Sequence, residues 1–387
     1  PSPGASSCSG RRRNRRVVVA VRIFLVEPYF AGSHRAWAEG YRRHSRHEVV
    51  VVSHDARFWK WRMQGGFVTL AEATHRAVAA HGAPDLILAS DMLHLPAFLG
   101  AARRTVGDVP AVLYLHENQL TYPLGPRDSI DLSYALANWT SLVVADRILF
   151  NSEYHRSDLL GALPALLRRF PDYRHLHLFD EVAARCGVLP VGVDLHRLDG
   201  GRILDDEPPI VLWNQRWEHD KDPASFFAAL DALDTAGVAF RLALAGENFR
   251  NQPDEFEAAR DHFGARVVHF GYADDEAYVE LLRRATVTAS TARHEFFGIA
   301  VVEAIYAGVF PVLPNRLVYP ERIPAGFHDV CLYDDHAGLV DRLGWALAHP
   351  AEAGAVAAEL REWVAGFDWT VQGPRYDNEL EAVVVGA

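Results

Sequence analysis

The sequence contains little cysteine and almost no lysine. Its three cysteines, Cys8, Cys186 and Cys331, are far apart in a chain of 387 residues, so they form neither a disulfide framework nor a zinc-binding pattern. This scarcity fits a reducing compartment, and we expect a cytoplasmic protein. Lys60 and Lys221 are the only lysines among 39 basic residues. In a chain that otherwise uses arginine, a lysine indicates a position where a compact ammonium is preferred.

The sequence also lacks an apolar run long enough to span a membrane. Arginines within residues 11–16, followed by the apolar residues 17–21, imitate a signal peptide. Arg22 interrupts that run, however, and the chain continues directly into the strand-like segment IFLVE. We therefore interpret residues 1–16 as a disordered leader without a targeting role, and we expect no membrane contact.

Charge is distributed unequally between the two halves of the chain. The net charge is −11, yet residues 1–204 carry 25 basic and 19 acidic side chains, whereas residues 205–387 carry 14 and 31. A basic N-terminal half can attract a phosphate backbone if its cations cluster, although a solvated helix face is the alternative. The candidates are Arg35, Arg42, Arg43 and Arg46 on a first helix, and Arg57, Lys60 and Arg62 in the loop beyond it.

Short apolar runs alternate with helical stretches along the chain, which predicts two doubly wound parallel sheets covered by helices. The predicted strands are 23–26, 49–53, 86–90, 111–116 and 148–152 in the first half, and 210–214, 242–246, 267–270, 286–290 and 310–313 in the second. Hydrophobic residues make up 49% of the chain, enough for two cores. The predicted units are an N-terminal domain at 17–200, a linker at 201–208, a C-terminal domain at 209–368 and a final helix at 369–387.

The segment HEFFGIAVVE places Glu295 and Glu303 eight residues apart, with Gly298 between them. A helix that begins at about Gly298 presents free N–H groups and a positive dipole end, which attract a diphosphate. One carboxylate before the helix and one within it can hydrogen-bond two sugars on either side of that diphosphate. The spacing therefore predicts a nucleotide-sugar site, although it also permits one glutamate before a helix and another on its solvated face.

Arg216 and Lys221 follow the predicted strand of IVLWNQRWEHDKDP. A turn and a helix start at this point would aim both cations into one crevice, where they can contact phosphate oxygens. A solvated pair flanking a loop is the alternative. Asp220 and Asp222 superficially form an Asp-x-Asp metal motif, but the lysine between them argues against a metal ion.

Two further polar segments follow predicted strands. In EPYFAGSH (27–34), Gly32 lets a ligand approach the backbone and Ser33 can cap the first helix. His116 ends a strand in YLHENQ, although any one of 19 histidines can be structural. Asn118, Gln119 and Tyr122 can contact an acceptor or simply form the turn before proline 123.

FWKWR (58–62) interleaves Phe58, Trp59 and Trp61 with Lys60 and Arg62. Stacking faces combined with cations suit single-stranded or flipped nucleotides, as in an anticodon loop. Packing of these aromatic rings onto the core is the alternative.

Taken together, the Arg-Lys pair and the two glutamates resemble the donor site of retaining GT-B glycosyltransferases of group four. Three segments, YLHENQLTYP (114–123), ARHEFFGIAVVEA (292–304) and PNRLVYPERIP (314–324), resemble the tRNA-queuosine mannosyltransferase branch of that family. The resemblance covers nearly the whole chain from residue 17 onward. It implies a GT-B fold, in which two Rossmann-like domains face an interdomain cleft and the final helix crosses back to the N-terminal domain.

The resemblance also implies roles for individual residues. The catalytic group is His116, Glu295, Arg216 and Lys221, with His116 contacting the donor sugar. The donor-binding group adds Gly32, Ser33, Tyr272, Phe296, Phe297, Gly298, Ile299 and Glu303. The acceptor-binding group is His34, Trp59, Lys60, Trp61, Arg62, Asn118, Gln119, Tyr122, Asn315 and Arg316. No metal and no cofactor are expected, because the cations and helix N-termini neutralise the leaving diphosphate.

The expected reaction is retaining transfer of mannose from GDP-mannose to the cyclopentene diol of queuosine at the tRNA wobble position, with tRNA-Asp as the expected tRNA. One alternative keeps the enzyme class and changes the acceptor to a lipid or a small glycoside. Another alternative is a catalytically silent RNA-binding module on the same fold. Such a module would not need all five of the polar residues His116, Arg216, Lys221, Glu295 and Glu303.

Overall fold

The computed structural model describes residues 20–123, 131–203, 207–246 and 254–386. The proposed leader, with Cys8, and linker residues 204–206 lie outside these ranges. No helix in the described part of the chain is long and apolar enough to cross a membrane.

The first half forms a parallel sheet of six described strands in the order β2-β1-β3-β4-β5-β6. Every residue of β3 and β4 is buried, because helices cover both faces of the sheet. The strands are β1 (Arg22–Phe30), β2 (Glu48–Asp55), β3 (Leu86–Ser90), β4 (Ala111–Leu115), β5 (Arg147–Phe150) and β6 (Cys186–Val188). The helices are α1 (Gly32–His44), α2 (Trp59–His81), α3 (Leu95–Val106), α4 (Leu132–Val144), α5 (Glu153–Leu167) and α6 (Phe179–Ala184).

The second half repeats this architecture, with the described strands in the order β12-β11-β10-β7-β8-β9. Its strands are β7 (Ile210–Trp213), β8 (Arg241–Ala245), β9 (Val267–Gly271), β10 (Val287–Ala289), β11 (Phe310–Pro314) and β12 (Leu332–Tyr333). Its helices are α7 (Pro223–Thr235), α8 (Asp254–Phe263), α9 (Asp275–Arg284), α10 (Ile299–Tyr306), α11 (Tyr319–Arg322), α12 (His328–Cys331), α13 (His336–Ala348), α14 (Pro350–Val364) and α15 (Trp369–Gly386). Single 3-10 turns are Leu176–Leu178, His196–Leu198, His219–Lys221, Gly264–Arg266, Ala325–Phe327 and Ala365–Phe367.

Each sheet has one point where the direction of strand addition reverses. In the first sheet this point lies between β1 and β3, and in the second it lies between β7 and β10. Ligands of open parallel sheets bind beyond the carboxyl ends of the strands at this switch point. The segments that follow β1, β4, β7 and β10 contain most of the residues singled out from the sequence.

The last helix, α15, packs against α1 of the first domain. Trp369 lies very close to two glycines. A Cβ atom on Gly40 would be 2.1 Å from the Trp369 indole, and a Cβ atom on Gly192 would be 2.3 Å from it. The Trp37 indole nitrogen donates to the Tyr376 hydroxyl at 3.2 Å. Both glycines are therefore required for the close approach of helix and indole, which ties the end of the chain to its first domain.

Candidate active site

Lys221 lies beyond the carboxyl end of β7, with only 6% of its surface exposed. Its Nζ is 3.0 Å from the carbonyl oxygen of His294, 3.2 Å from Oε2 of Glu295 and 3.2 Å from Oδ2 of Asp220. Burial alone would lower the pKa of Lys221, but the two carboxylates raise it. The lysine is thus a buried ammonium between two acidic side chains, which excludes the solvated alternative for this residue.

Glu295 folds back onto the backbone that follows it. Its Oε1 accepts hydrogen bonds from the N–H groups of Phe296, Phe297 and Gly298 at 3.1, 3.2 and 3.0 Å. Burial would raise the pKa of Glu295, but Lys221 and the N–H of Phe297 lower it to about 2. The carboxylate therefore occupies N–H groups that the sequence analysis assigned to a diphosphate.

Helix α10 begins where the sequence predicted. Gly298 precedes it with φ of +82°, a left-handed conformation that favours glycine. The first two residues of the helix, Ile299 and Ala300, have N–H groups that an α-helix leaves without an intrahelical acceptor. Because Glu295 occupies the three preceding N–H groups, an anion at the start of the helix would bind the N–H groups of these two residues.

Arg216 faces the same crevice as Lys221. Its guanidinium is about half exposed, and Nη1 is 3.2 Å from Oε1 of Glu218. The charge of Arg216 partly offsets the two carboxylates that raise the pKa of Lys221, so the two cations lie near each other. One exposed and one buried cation therefore lie at the switch point of the second sheet.

Glu303 lies in the second turn of α10 and is 9% exposed. Its Oε1 accepts from Nη2 of Arg197 at 2.5 Å, and its Oε2 accepts from the Tyr278 hydroxyl at 2.9 Å. The Asn214 amide donates to the same tyrosine hydroxyl at 3.1 Å. These contacts exclude a solvated helix face and hold the carboxylate beside the end of β7.

The loop before α10 also contacts the first domain. The Phe296 ring stacks on His155 with 3.8 Å between centroids, and His294 meets Tyr122 edge-on at 4.7 Å. Phe297 packs beneath Arg322, whose guanidinium is 4.3 Å from the ring centre. Because both phenylalanine side chains anchor the loop, any contact they make with a donor would come from their backbone.

The first domain contributes Gly32, Ser33 and His34. Helix α1 begins at Gly32, whose φ is +48°, but its N-cap is Ala31 and no side chain caps it. The prediction that Ser33 caps this helix is therefore wrong. His34 Nδ1 lies 3.0 Å from Oε2 of the buried Glu27. Burial alone would lower the pKa of His34, but Glu27 raises it to about 9.

His116 lies directly beyond β4, and its backbone N–H donates to Oδ1 of Asp91 at 2.8 Å. Its ring is 4.4 Å from the His34 ring and 4.6 Å from the Trp37 ring, measured between centroids. Burial and the charge of His34 lower the pKa of His116 well below its usual value. The imidazole is therefore neutral at pH 7, and within the described residues its Nε2 has no hydrogen-bond partner.

Asn118, Gln119 and Tyr122 follow in the same loop. Asn118 is fully buried, and its Oδ1 accepts from the N–H groups of Leu120 and Thr121 at 3.1 and 2.9 Å. Asn118 thus forms the turn that the sequence analysis offered as the alternative. Gln119 donates to Glu117 at 2.9 Å. Contact of these residues with an acceptor stays a prediction.

The sequence analysis placed the segment FWKWR in a loop. In the structure helix α2 begins at Trp59, so most of this segment is helical. Trp59 packs against Tyr134, with 5.2 Å between ring centroids. Trp61 is 63% exposed and Phe58 is 76% exposed, and both Lys60 and Arg62 lie in the first turn of the helix. One aromatic ring therefore packs on the protein, while two others remain open beside the cations.

The basic cluster proposed for α1 is largely neutralised. Arg42 pairs with Glu39, and Arg46 lies 2.7 Å from Glu381 of α15. Arg43 is 3.9 Å from an aspartate that follows β6. These side chains therefore pair with carboxylates of the protein itself, and the prediction that they cluster to attract a phosphate backbone is weakened by the acidic final helix.

The remaining predicted residues lie farther from the two switch points. Tyr272 follows the edge strand β9 and is 71% exposed. Asn315 follows β11 and donates to Asp334 at 2.9 Å. Arg316 donates to the carbonyl oxygens of residues 291 and 292 at 3.3 and 3.1 Å. Their predicted roles in donor or acceptor binding rest on the resemblance.

One group of side chains in the described residues could hold a metal ion. Glu27, His34 and His116 offer three ligand atoms within 4.8 Å of one another. Despite burial, Glu27 raises the pKa of His34 to about 9, so a metal ion at this place would have to displace the proton that His34 shares with Glu27.

Sequence analysis missed several residues of the site. Glu27 near the end of β1 and Asp91 after β3 occupy the same kind of position as His116 after β4, and this positional signal could have found them. Arg197 and Tyr278 carry no such signal, because their role depends on contact with Glu303, 106 and 25 residues away.

The chain is similar to known proteins along most of its length. Residues 22–193 match the family model described as tRNA-queuosine alpha-mannosyltransferase N-terminal, and residues 200–362 match the model for glycosyl transferases group 1. A tRNA-queuosine alpha-mannosyltransferase from Drosophila melanogaster is 32% identical over 315 residues, which cover 78% of this chain and 81% of that protein.

Solved structures confirm the predicted GT-B fold. A sucrose-phosphate synthase from Thermosynechococcus elongatus superimposes with a TM-score of 0.71 at 17% identity, covering 95% of this chain and all of that one. HepE of Anabaena, in complex with UDP and glucose, gives 0.67 at 16% identity and covers 93% and 99% of the two chains. With matches in both halves and a close relative over most of its length, the chain belongs to the family of tRNA-queuosine alpha-mannosyltransferases.

Proposed function

We propose that this protein transfers mannose from GDP-mannose to the cyclopentene diol of queuosine at the wobble position of tRNA, with tRNA-Asp as the expected substrate and with retention of the α configuration. Family membership in both halves of the chain supports this reaction. The observation that carries it is the Lys221–Glu295 pair, a buried cation and carboxylate at the start of a helix and at the switch point of the second sheet.

In the proposed mechanism, GDP-mannose lies against the second domain. Arg216, Lys221 and the N-terminus of α10 neutralise the diphosphate, while Glu295 bonds the mannose hydroxyls and Glu303 bonds the ribose. The bond from the anomeric carbon to the phosphate oxygen breaks, and GDP keeps the electron pair. The acceptor hydroxyl attacks from the same face, and its proton passes to the departing phosphate.

His116 fits a positioning role for the donor sugar. Its lowered pKa keeps the imidazole neutral, and its Nε2 lacks a partner in the described residues, so it can hydrogen-bond a sugar hydroxyl. Stabilisation of the leaving group by preorganised cations supplies the largest share of the rate gain.

We further propose that the reaction needs no metal ion. The carboxylates of Asp220 and Glu295, which could otherwise hold a divalent cation, already form ion pairs with the Lys221 ammonium at 3.2 Å each. We expect full turnover in EDTA. If chelation abolished activity and magnesium or manganese restored it, this assignment of charge would be wrong.

The decisive experiment incubates the protein with GDP-mannose and either queuosine-containing or queuosine-free tRNA. Nucleosides from the digested tRNA are then separated, and their molecular masses are measured. A queuosine heavier by one hexose, seen only with the modified tRNA, supports the proposal. Transfer to a lipid or a small glycoside instead would point to another acceptor, and binding of tRNA without transfer would point to a silent RNA-binding module.

A further inference from the structure

Two neighbouring residues of helix α11, in the segment PNRLVYPERIP, bond different halves of the molecule. Glu321 accepts hydrogen bonds from the N–H groups of Glu153 and Tyr154 in the first domain, at 3.1 and 2.5 Å. Arg322 is buried and donates from Nε to the carbonyl oxygen of Phe297 in the second domain, at 2.7 Å. This short helix therefore links the first domain to the loop before α10.

Glu321 completes the start of a helix that belongs to the other domain. The first N–H groups of an α-helix have no acceptor within the helix, and a carboxylate bonds such groups strongly. At the start of α5, the hydroxyl of Ser152 accepts from the N–H group of His155 at 3.0 Å. Glu321 accepts from the two preceding N–H groups. The first turn of α5 therefore keeps all of these bonds only while the two domains are in contact.

A short path of hydrogen bonds leads from the start of α5 to His116. Nδ1 of His155 lies 3.0 Å from Oδ1 of Asn151. The Asn151 amide donates to the carbonyl oxygen of His116 at 2.8 Å. Both His155 and Asn151 are buried, so this path is packed inside the first domain. The position of α5 therefore fixes the backbone of His116, the residue that contacts the donor sugar in the proposed mechanism.

Arg322 leads to the other half of the site. Phe297, whose carbonyl oxygen it bonds, donates its N–H to the carboxylate of Glu295 at 3.2 Å. The hydroxyls of Tyr319 and Ser290 are hydrogen-bonded at 2.6 Å, just beyond the end of β10. Helix α11 is therefore fixed to the part of the second domain that is proposed to hold the donor.

We propose that Glu321 is a positioning residue for the transfer: it holds the first domain against the second and so sets the place of His116 relative to Lys221. This inference rests on the proposed function, in which His116 contacts the mannose and Lys221 the diphosphate of one donor. The bond that breaks joins these two groups. Displacement of a positioned group by about 1 Å can slow a reaction roughly a hundredfold. Turnover therefore depends on a carboxylate whose own bonds are to the protein.

The test compares Glu321→Ala with Glu153→Gln in the full-length protein. Glu153 is the matched control, because its carboxylate lies at the same helix start but bonds Arg156 and Ser157 of its own helix. We expect kcat for mannose transfer to queuosine-tRNA to fall roughly tenfold or more in Glu321→Ala. The affinity for GDP in calorimetry should be unchanged, because the diphosphate lies against the second domain. The control should keep the kcat of the wild type.

Small-angle X-ray scattering of the GDP-bound protein measures the spacing of the two domains without tRNA. The radius of gyration should increase in Glu321→Ala and keep the wild-type value in Glu153→Gln. A wild-type kcat or a wild-type radius of gyration in Glu321→Ala would overturn the proposal, as would an equal loss of kcat in the control. A loss of GDP affinity that matches the loss of kcat would also overturn it, because the effect would then lie in the donor site alone.

Glu321→Gln provides a second variant should Glu321→Ala fail to fold. Its amide keeps one oxygen that can accept from an N–H group, so kcat should lie between those of the wild type and the alanine variant. A kcat equal to that of the wild type would overturn the proposal. Failure of this inference is distinguishable from failure of the proposed function. Transfer to queuosine that does not depend on Glu321 refutes only the inference, whereas no transfer by the wild type refutes the function.

Discussion

Replacement of Lys221 by methionine tests both the chemistry and the architecture of the donor site. Methionine has a similar length but no charge, so it leaves the carboxylates of Glu295 and Asp220 buried without their shared cation. The pKa of Glu295 is lowered from 4.5 to about 2, and each pKa unit corresponds to about 1.4 kcal/mol. Loss of the ammonium therefore costs up to about 3 kcal/mol at Glu295, because three N–H groups still bond that carboxylate, and the unpaired Asp220 carboxylate adds to this loss.

The catalytic loss has a similar size but a different origin. Removal of one preorganised charge from a leaving-group site costs about 3 kcal/mol, which lowers turnover by roughly a hundredfold. The assay follows mannose incorporation into queuosine-tRNA at saturating substrates, and thermal unfolding reports stability. The double variant Lys221→Met, Glu295→Gln should recover much of the lost stability, because it removes the uncompensated carboxylate, but it should recover no activity.

The chain offers one natural control for this experiment, its other lysine. Lys60 is exposed in the first turn of α2, so Lys60→Met should leave turnover at saturating tRNA unchanged. If Lys221→Met turned over within a fewfold of the wild type, the cation would have no role in leaving-group stabilisation and the mechanism would be refuted.

Three further predictions concern other parts of the site. Lys60→Met should reduce by about one the slope of log affinity for tRNA against log salt, whereas Trp61→Ala should weaken binding by about 1–3 kcal/mol with an unchanged slope; equal slopes in all three proteins would exclude a phosphate contact. Arg197→Ala should raise KM for GDP-mannose roughly tenfold, because Glu303 loses the guanidinium that holds it in place. An unchanged KM would mean that Glu303 has no role in donor binding. Because the pKa of Glu295 is lowered, its ion pair stabilises the fold above about pH 4.5, and this contribution disappears as the pH falls toward 2. Glu295→Gln should flatten the unfolding free energy over that window, and a curve parallel to the wild type would contradict the ion pair.

Much of the fold could be predicted because its strands are buried on both faces. A strand such as β3 appears in the sequence as an uninterrupted apolar run, and its predicted bounds agree with the structure. Strands β6 and β12 were not predicted, since they have only three and two residues and lie at the sheet edges. So short a segment leaves no period to recognise.

Local sequence patterns revealed some residues of the site, but they could not reveal which groups those side chains pair with in the folded protein. Gly298 marked the start of α10, because a left-handed residue before a helix favours glycine. The folding of Glu295 onto the next three N–H groups was not foreseen, and it changes which groups are open to a diphosphate. Arg46 was expected to attract a phosphate backbone, but Glu381, 335 residues away, pairs with it in the structure. Such contacts depend on tertiary packing.

Position relative to the switch points explains these outcomes better than residue type does. Glu27 lies near the carboxyl end of β1, and Asp91 and Lys221 follow β3 and β7, which are strands next to a switch point; His116 follows β4, the neighbour of β3, and all four are buried or partly buried. Tyr272 follows β9, which lies at the edge of its sheet, and its ring is open to solvent. Ligands of such sheets bind at the point where the strand order reverses. A polar residue beyond a strand near that point is therefore a stronger candidate for a functional role than one beyond an edge strand. That rule selects Asp91, which no familiar motif contains and which accepts a hydrogen bond from the backbone of His116.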